Sequence, residues 1–516
     1  MGFVSLGCPK NLVDSEVMMG LLDRAGAEMT SDAGSAEILV VNTCSFIDKA
    51  KQESVDTILE MARHKTAGTA KKLIVAGCLV ERYRDEIRKN IPEVDAVLGT
   101  SELEKILSAA GLELGALPTT PSPFTILSGK GAAEVRPGRE SLAGTHKATP
   151  EAASFRAEGD RRERQGRFSR AAWDGATAAL PQYLYDHTTP RLRTTKSASA
   201  YIKIAEGCDH PCSFCVIPNL RGKFRSRRFE SVVAEAEALV AEGVREITLI
   251  GQDTTCYGED LGLKEGLAAL LDRLARVEGL AWLRFLYAYP NRVTGKLLET
   301  MTRHENICKY LDVPLQHAAA PVLKAMKRGG SAEIFLKMIE KVRGAVPGIA
   351  LRTSFIVGFP GETDADFEAL CDFVAEARFD WLGVFAYSDE EGSRAFEIGA
   401  KVPKRVIEQR RRALMKLQKG LSRQAKRAMM GQEIEVLVEG ESEETPLLWE
   451  GRTQYHAPEI DGTVYLNDFG PFDAVVPGRF YRCEVTEAHE YDLVARVIEE
   501  SQPAAAPQLE LAGAER

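Results

Sequence analysis

Apolar runs of strand length alternate with helical patterns at the start of the chain. The runs FVSLGC, ILVVNTC and LIVAGC have the composition of buried parallel strands, and they end at Cys8, Cys44 and Cys78. The stretches DSEVMMGLLDRAG and DKAKQESVDTILEMARHK between them have helical periodicity, with Asp14 and Asp48 as their predicted N-caps. This alternation predicts an open parallel α/β sheet. The three cysteines should meet at the carboxyl ends of its strands, where such sheets bind ligands.

A second alternation begins at Tyr201. Six apolar runs are separated by helical patterns: YIKIA, EITLIG, WLRFLYA, YLDVPL, LRTSFIVG and WLGVFAY. Six strands with intervening helices predict a partial (β/α)6 barrel. Barrels of this kind carry their chemistry at the carboxyl ends of the strands, so the loops that follow these runs form the candidate site.

The end of the chain has a third pattern. A basic helical segment, PKRVIEQRRRALMKLQKGLSRQAKRAMM, leads out of the barrel and is interpreted as a mostly solvated linker helix. Short β patterns follow from Gly431: EIEVLVEG, LWEGRT, TVYLND and RFYRCEVTEAHEYDLVARVIE. They predict a small β-barrel that resembles the TRAM type and is akin to an OB fold.

Between the first two patterns the chain is rich in Ala, Gly, Pro, Ser and Thr, which is typical of an exposed, partly disordered linker. The basic run RRERQGRFSR within it is interpreted as a solvated patch, with phosphate contact as the alternative. The patterns therefore predict an N-terminal α/β domain at 1–107, a linker at 108–195, a barrel domain at 196–426, a small β-barrel at 427–500 and a flexible tail at 501–516.

Composition narrows the class of protein. The chain has 516 residues, 44% of them hydrophobic, and a formal net charge of −9. This length suits three domains, and the charge gives no general attraction to nucleic acid. The sequence has no apolar run of transmembrane length and no signal peptide, so no membrane association is expected. Its cysteines are clustered rather than spread as a disulfide framework, which predicts a reducing, cytoplasmic location.

Three closely spaced cysteines form the strongest chemical signal. Cys208, Cys212 and Cys215 stand in IAEGCDHPCSFCVIP with the spacing C-x3-C-x2-C. Zinc with His210 as a fourth ligand is one explanation, although structural zinc prefers paired cysteine knuckles. Ordinary buried thiols are a second. The third is an iron–sulfur cluster: each iron normally takes one thiolate, so three thiolates leave one iron of a four-iron cluster open.

This motif, on a loop after a strand, resembles that of the radical S-adenosylmethionine (radical SAM) enzymes. The resemblance implies that the open iron chelates the amino and carboxylate groups of S-adenosylmethionine, and that Phe214 belongs to the motif. It also implies cofactor contacts at Gly251 and Gln252 in GQDTTCYG and at Gly358 in GFPGET. For each of these residues the alternative is a structural role, either in packing or in hydrogen bonding within a loop. Further strand-end candidates are Asp253, Gln316 and His317.

The triad Cys8, Cys44 and Cys78 has two explanations of its own. One is packing, and the other is a second cluster held by three thiolates. The segments SLGCPKNLVDSE and VVNTCSFI resemble the methylthiotransferase family of radical SAM enzymes. In that family the second cluster supplies or carries the inserted sulfur. The resemblance therefore implies two 4Fe–4S clusters, S-adenosylmethionine and an external electron donor.

Two branches of this family differ in substrate. One methylthiolates an adenosine in transfer RNA, and the other the β-carbon of an aspartate in small-subunit ribosomal protein S twelve. EGCDHPCSFCVIPNLRGKFRSR, GQDTTCYG and YLDVPLQHA resemble the ribosomal-protein branch more closely. Residues 431–498 also carry 15 Asp or Glu against four Arg, a net charge of 4 − 15 = −11, which disfavours RNA and favours a basic protein. The competing class is a non-enzymatic iron–sulfur protein that binds RNA.

A basic run follows the cluster motif. Arg221, Lys223, Arg225, Arg227 and Arg228 lie close together in the sequence. A solvated turn is the simpler interpretation of this run. The functional one is a positive rim that attracts an anionic group, such as a carboxylate, to the site.

Overall fold

The computed structural model describes residues 1–113, 181–195, 198–442, 445 and 447–502. They form two compact units: the described residues of Met1–Ser45, Lys49–Ser169 and Thr188–Thr194, and those of Phe46–Asp48, Arg170–His187 and Thr195–Arg516. Most of the predicted linker, including RRERQGRFSR, and nearly all of the predicted tail lie outside the described residues.

The first unit contains the predicted parallel sheet, with its four strands in the order β1-β2-β3-β4. The strands are β1 Gly2–Ser5, β2 Ile38–Thr43, β3 Lys72–Gly77 and β4 Ala96–Leu98. The α-helices are Pro9–Arg24, Asp48–Ala67, Cys78–Asn90 and Ile106–Ala110, with a 3-10 turn at Leu103–Lys105. The predicted cap at Asp14 is wrong. The first helix begins at Pro9, a residue that favours the first helical position, so Asp14 is buried inside the helix.

The second unit contains the predicted six-stranded parallel barrel, formed by the sheets β5-β8-β9 and β10-β11-β12. Leu283 of β9 joins them by backbone hydrogen bonds with Asn306 and Cys308, just before β10. The strands are β5 Ser199–Lys203, β8 Glu246–Ile250, β9 Trp282–Phe285, β10 Tyr310–Asp312, β11 Ala350–Val357 and β12 Trp381–Ala386, with a small hairpin of β6 Ala205–Glu206 and β7 Arg225–Ser226.

Helices separate these strands, as the alternation predicted. The α-helices are Ile217–Arg221, Phe229–Ala241, Gly266–Leu274, Gly295–Arg303, Ala320–Ala325, Ala332–Ala345, Asp364–Ala377 and Lys404–Arg427, with 3-10 turns at Pro290–Arg292 and Arg394–Glu397. Most residues of the last α-helix are exposed or half-buried, as its basic sequence suggested, but the helix packs on the strands and is not a free linker. One stripe along it is buried against the strands: Ile407, Arg410, Leu414, Gln418, Ser422 and Lys426.

A closed antiparallel-rich barrel follows, in the order β13-β14-β15-β17-β16. Its strands are β13 Glu433–Glu441, β14 Trp449–Arg452, β15 Val464–Asp468, β16 Phe480–Ala488 and β17 Leu493–Ser501. Alternate apolar side chains fill its interior, including Val436, Leu466 and Val485. This confirms the small β-barrel predicted from the sequence.

Residues 453–461, in the loop between β14 and β15, cover the amino-terminal ends of the six parallel strands, and we call this segment the closing loop. Tyr201 donates its hydroxyl to the Pro458 carbonyl at 3.0 Å, and Trp381 donates its indole N–H to the Tyr455 carbonyl at 2.7 Å. Glu246, the first residue of β8, is a completely buried carboxylate here. The closing loop therefore ties the small barrel to the parallel strands through buried hydrogen bonds, although the barrel keeps a hydrophobic core of its own.

Buried charges at this end face opposite charges. The Glu246 carboxylate lies 3.1 Å from Nε of Arg284 and 2.6 Å from Nη2 of Arg452. Beside it, the Tyr310 hydroxyl donates to Asp461 of the closing loop at 2.7 Å. Charge pairing of this quality is what makes the burial of ionised groups tolerable.

Among the helices of the described ranges, none is long and apolar enough to cross a membrane.

Candidate active site

The loop with Cys208, Cys212 and Cys215 lies at the carboxyl ends of the six parallel strands, opposite the closing loop. It starts after the β6 strand and ends at the helix Ile217–Arg221. The backbone N–H of Ser213 donates to the Met326 carbonyl at 2.9 Å, and its hydroxyl donates to the Ala325 carbonyl at 2.8 Å. A separate part of the unit thus fixes the middle of this loop.

The three thiols are half-buried and close enough to influence one another electrostatically. Burial raises the pKa of Cys208 to about 11 and that of Cys215 to about 12, and the neighbouring Cys212 contributes to both shifts. Thiols in this state are protonated at neutral pH, and they lose the proton when a metal binds. Three converging soft donors are the ligand set of an iron–sulfur cluster, so the residues fit the group that the motif predicts.

His210 is not placed as a fourth zinc ligand. Its Nε2 lies 2.6 Å from Oδ2 of Asp253, and the thiol of Cys256 donates to the same oxygen at 3.0 Å. The His210 ring also stacks on Tyr289, with centroids 3.9 Å apart and planes inclined by 9°. The His210 ring therefore contacts Asp253 and Tyr289, and the thiol of Cys256 shares the same carboxylate.

Gln252 lies at the end of β8 and faces a buried charge network. Its Nε2 donates to Oε1 of Glu206 at 2.6 Å, while Lys203 and Arg221 bind the other oxygen of Glu206. Burial opposes ionisation of Glu206, but the charges of Lys203 and Arg221 hold its pKa well below the usual range. Within the described ranges, the buried Oε1 of Gln252 has no hydrogen-bond partner. The fixed amide therefore presents an acceptor for a ligand's N–H or O–H group.

His317 presents a buried donor at the same end of the strands. Burial lowers the pKa of His317 to about 4, so the ring is neutral at neutral pH. Because Nδ1 accepts the Ala319 N–H at 3.0 Å, the ring proton is on Nε2. That N–H is unsatisfied as far as the described chain extends, with the nearest carboxylate oxygen, on Glu362, 3.8 Å away.

The glycines predicted to contact a cofactor have different environments. Gly358 adopts φ +79°, and a Cβ built on it would lie 2.3 Å from Cγ1 of Ile407, so helix packing explains this glycine. A Cβ on Gly251 would meet its nearest atoms, including Ala205, at an ordinary 3.6 Å. Phe214 packs against an apolar cluster with Phe359, which agrees with its packing interpretation.

The basic run does not form the positive rim suggested above. Arg221 and Arg227 are both buried, and they pair with Glu206 and Glu235. Arg225 donates to backbone carbonyls, including that of Tyr183 at 3.0 Å. These arginines therefore hold the loop in place. The exposed members of the run are Lys223 and Arg228.

Sequence reasoning missed Glu206, Tyr289 and Arg328. Glu206 comes immediately before the cysteine loop, and its position at a strand end was a usable signal. Arg328, by contrast, donates from Nη1 to the sulfur of Cys212 at 3.5 Å across a separation of 116 residues. No local pattern marks a contact of that range.

In the first unit, Cys8, Cys44 and Cys78 follow the neighbouring strands β1, β2 and β3. Cys8 comes directly before the helix Pro9–Arg24, and Cys78 is the first residue of its helix. Asn11 ties two of the strand ends together, because its side-chain N–H groups donate to the carbonyls of Leu6 at 2.7 Å and Thr43 at 3.0 Å. The three cysteines thus share one edge of the sheet, as predicted.

The loops that carry this triad are closely packed. The hydroxyl of Ser45 donates to the Cys78 carbonyl at 3.2 Å. Gly7 adopts φ +98°, and a Cβ built on it would lie only 3.1 Å from the sulfur of Cys44. A glycine is required here so that the Cys8 loop can approach Cys44. The donor set and this close approach fit a second cluster held by three thiolates.

Comparisons with known proteins agree with the three patterns in the sequence. Residues 1–99 match the uncharacterized protein family UPF0004, residues 202–374 the radical SAM superfamily and residues 430–498 the TRAM domain. The ribosomal protein uS12 methylthiotransferase RimO of Koribacter versatilis is 64% identical over 498 residues, 96% of each chain. The protein of the same name from Solibacter usitatus is 52% identical over 98% of this chain and 96% of its own.

Proposed function

Because the chain belongs to the ribosomal protein uS12 methylthiotransferase family, we propose that it transfers a methylthio group to ribosomal protein uS12, at the β-carbon of an aspartate. The observation that carries the proposal is 64% identity across 96% of both chains. The radical SAM match spans the six-stranded barrel and its cysteine loop. The enzyme is therefore a radical SAM transferase, which uses a 4Fe–4S cluster and S-adenosylmethionine.

Cys208, Cys212 and Cys215 hold that cluster in the proposal. Bound there with S-adenosylmethionine, it supplies the one-electron chemistry for hydrogen abstraction from an unactivated carbon. An external one-electron donor is required as a partner. The residues of the chain itself bind the cofactor and orient it. An unsatisfied buried acceptor costs about 1–3 kcal/mol, so Oε1 of Gln252 favours a ligand that brings an N–H group, such as the cofactor's ammonium.

Two further residues complete the cofactor's surroundings. The Nε2–H of His317 is placed to donate to a hydroxyl or a ring nitrogen of the cofactor. Gly251 lies beside the cofactor at the strand end in the proposal, and a Cβ there would meet Ala205 and Thr254 at an ordinary 3.6 Å. Gly358 and Phe214 act by shaping the loops behind it.

Cys8, Cys44 and Cys78 hold a second 4Fe–4S cluster in the proposal. Their position on one sheet edge and the close approach of Gly7 to Cys44 support this assignment. This second group is associated with the inserted sulfur. The chain's part is to hold the three thiolates on one edge of the sheet.

The acidic small barrel favours a protein substrate over transfer RNA. Its four arginines are all engaged with glutamates: Arg452 with Glu246 and Glu439, Arg479 with Glu500, Arg482 with Glu433 and Glu499, and Arg496 with Glu484. Cations held by carboxylates contribute little to phosphate binding, which depends on a net basic surface. A basic ribosomal protein is attracted instead.

Two triple substitutions test the cluster assignments. After anaerobic reconstitution the wild type should hold roughly eight irons. Replacing Cys208, Cys212 and Cys215 by Ala should halve the iron and abolish S-adenosylmethionine cleavage. Replacing Cys8, Cys44 and Cys78 by Ala should also halve the iron but spare reductive cleavage. The control is Cys371→Ala, an isolated half-buried cysteine that should leave the iron content unchanged.

The substrate is tested by incubating the reconstituted enzyme with uS12 and, separately, with transfer RNA. Mass spectrometry should find a methylthio group on an aspartate of uS12. A methylthio group on a nucleoside instead would move the enzyme to the transfer-RNA branch. Failure to cleave S-adenosylmethionine at all would favour the non-enzymatic iron–sulfur protein.

A further inference from the structure

Arg328 is placed to act directly on the sulfur of a cluster ligand. Its Nη1 donates to the Cys212 sulfur at 3.5 Å, and its Nη2 donates to the Pro314 carbonyl at 2.7 Å. The guanidinium carbon also lies 4.5 Å from the centroid of the Tyr289 ring. A backbone carbonyl and an aromatic face therefore fix this cation, even though it is half-buried rather than enclosed.

The support behind Arg328 extends through a stack of side chains. Tyr289 has His210 on its ring at 3.9 Å as well as Arg328 at 4.5 Å. The ring of Tyr289 therefore contacts both groups. His210 is in turn held by Asp253 at 2.6 Å. The sequence Asp253, His210, Tyr289, Arg328 and Cys212 is one continuous column of contacts.

A cation at this sulfur has a defined electrostatic consequence. Reduction adds negative charge to an iron–sulfur cluster, and hydrogen bonds to its sulfurs are among the factors that set its reduction potential. A fixed positive charge stabilises the reduced form more than the oxidised form. Arginine suits the position because its planar guanidinium can stack and donate at the same time.

We propose that Arg328 is a positioning residue that raises the reduction potential of the cluster held by Cys208, Cys212 and Cys215, and that Tyr289 and His210 hold it against Cys212. The proposal rests on the cluster assignment made above. It adds a way in which the chain makes one-electron reduction of that cluster easier.

The test measures the midpoint potential of this cluster alone. All variants are made in the background Cys8→Ala, Cys44→Ala, Cys78→Ala, so that one cluster contributes to the signal. Redox titration followed by electron paramagnetic resonance, without S-adenosylmethionine, should give a lower potential for Arg328→Gln than for the parent. Arg328→Lys keeps the charge and loses the planar fork, so its potential should lie between the two. Arg343→Gln, an arginine on the helix Ala332–Ala345, makes the same charge change elsewhere and should match the parent.

Each other result has a defined meaning. An Arg328→Gln variant with full iron content and the parent's potential overturns the proposal. Should Arg328→Gln lose the cluster, Tyr289→Leu removes the stacking ring while leaving the arginine, and an unchanged potential there overturns it equally. Weaker S-adenosylmethionine binding with an unchanged potential makes Arg328 a cofactor ligand instead. A parent that takes up no cluster refutes the cluster assignment itself, which separates the two failures.

Discussion

The two ends of the six-stranded barrel are built on opposite principles. At the amino-terminal end the closing loop covers the strands, and the buried charge of Glu246 faces Arg284 and Arg452. At the carboxyl end two buried polar atoms, on Gln252 and His317, have no partner within the described chain. The closed end also buries two polar atoms without a partner in the described chain, Nη2 of Arg284 and Nε2 of His456. What separates the two ends is that charge pairs and the closing loop cover the first, while the second lies beside the cysteine loop.

Left-handed backbone conformations of non-glycine residues occur at both ends, and Glu459 of the closing loop adopts φ +61°. Tyr287 and Gln316 follow β9 and β10 at the carboxyl end, and they adopt φ values of +63° and +73°. Left-handed conformations of this kind cost non-glycine residues of order 1–3 kcal/mol each and cluster at functional sites. The difference in charge pairing and covering indicates that stability and binding are divided between opposite ends of one sheet, as barrel enzymes in general divide them.

The strongest way to break this division is Glu246→Gln. The substitution keeps the shape of the side chain but leaves Arg284 and Arg452 buried without their shared counter-charge. Breaking a buried ion pair in this way costs about 3–5 kcal/mol. The free energy of unfolding, measured by chemical denaturation of the full chain, should fall by that amount.

The matched control is Glu237→Gln. Glu237 pairs with Arg273 on the surface, where both side chains are 42–50% exposed, and exposed pairs contribute only about 0–1 kcal/mol. If both variants lost the same small amount, the closed end would not be the stabilised end.

Two glycines at the carboxyl end sharpen the comparison. Gly358→Ala should destabilise the fold by about 1–3 kcal/mol, because the new Cβ overlaps Ile407 in a packed region. Gly251→Ala should change the stability by less than about 0.5 kcal/mol, yet weaken S-adenosylmethionine binding. Denaturation curves and equilibrium dialysis with the labelled cofactor measure the two effects. A stability loss at Gly251 equal to that at Gly358 would contradict the separation of packing from binding.

The closed end should also show a pH dependence of stability, from Lys426. Burial lowers the pKa of Lys426 from 10.5 to about 8, although nearby Asp380 and Asp461 oppose the shift. Between these two values the unfolded chain binds a proton that the folded chain does not, so this lysine makes stability rise with pH. The slope is at most about 1.4 kcal/mol per pH unit. It is flat below the folded pKa and above the unfolded one.

Lys426→Met should remove this contribution. Stability curves of the wild type and the variant, measured from pH 7 to 11, should converge as the pH rises, since other titrating groups are common to both. Parallel curves would show that the amine is not desolvated against Trp381, whose ring centroid lies 4.0 Å from it.

Local patterns in the sequence predicted most of the fold and the positions of the cysteines. The strand ends at Cys44 and Cys78 could be predicted because an apolar run stops abruptly at each of them. The six barrel strands could be predicted because each is also an apolar run with a clear end. The segment boundaries and the ligand assignments remain predictions that the cluster variants above can test.

What sequence reasoning could not supply was the partner of each polar group. Arg221 and Arg227 look like a basic surface in the sequence, but folding buries both of them beside Glu206 and Glu235. Gly358 looks like a ligand contact until Ile407 is seen to fill the space behind it. The cap predicted at Asp14 failed because Pro9 starts the helix earlier. In each case a contact from elsewhere in the chain decides the role.

The closing loop also has a consequence for synthesis on the ribosome. Tyr201 bonds to Pro458, which is 257 residues later in the chain, and Glu246 pairs with Arg452, which is 206 residues later. At about 5–20 residues per second, the strand with Glu246 emerges roughly 10–40 s before its partner arginine. During that interval the nascent barrel has one end open to water and one counter-charge missing. Native closure of the catalytic domain therefore waits for the segment that is translated near the end, and this favours assistance from chaperones until that segment appears.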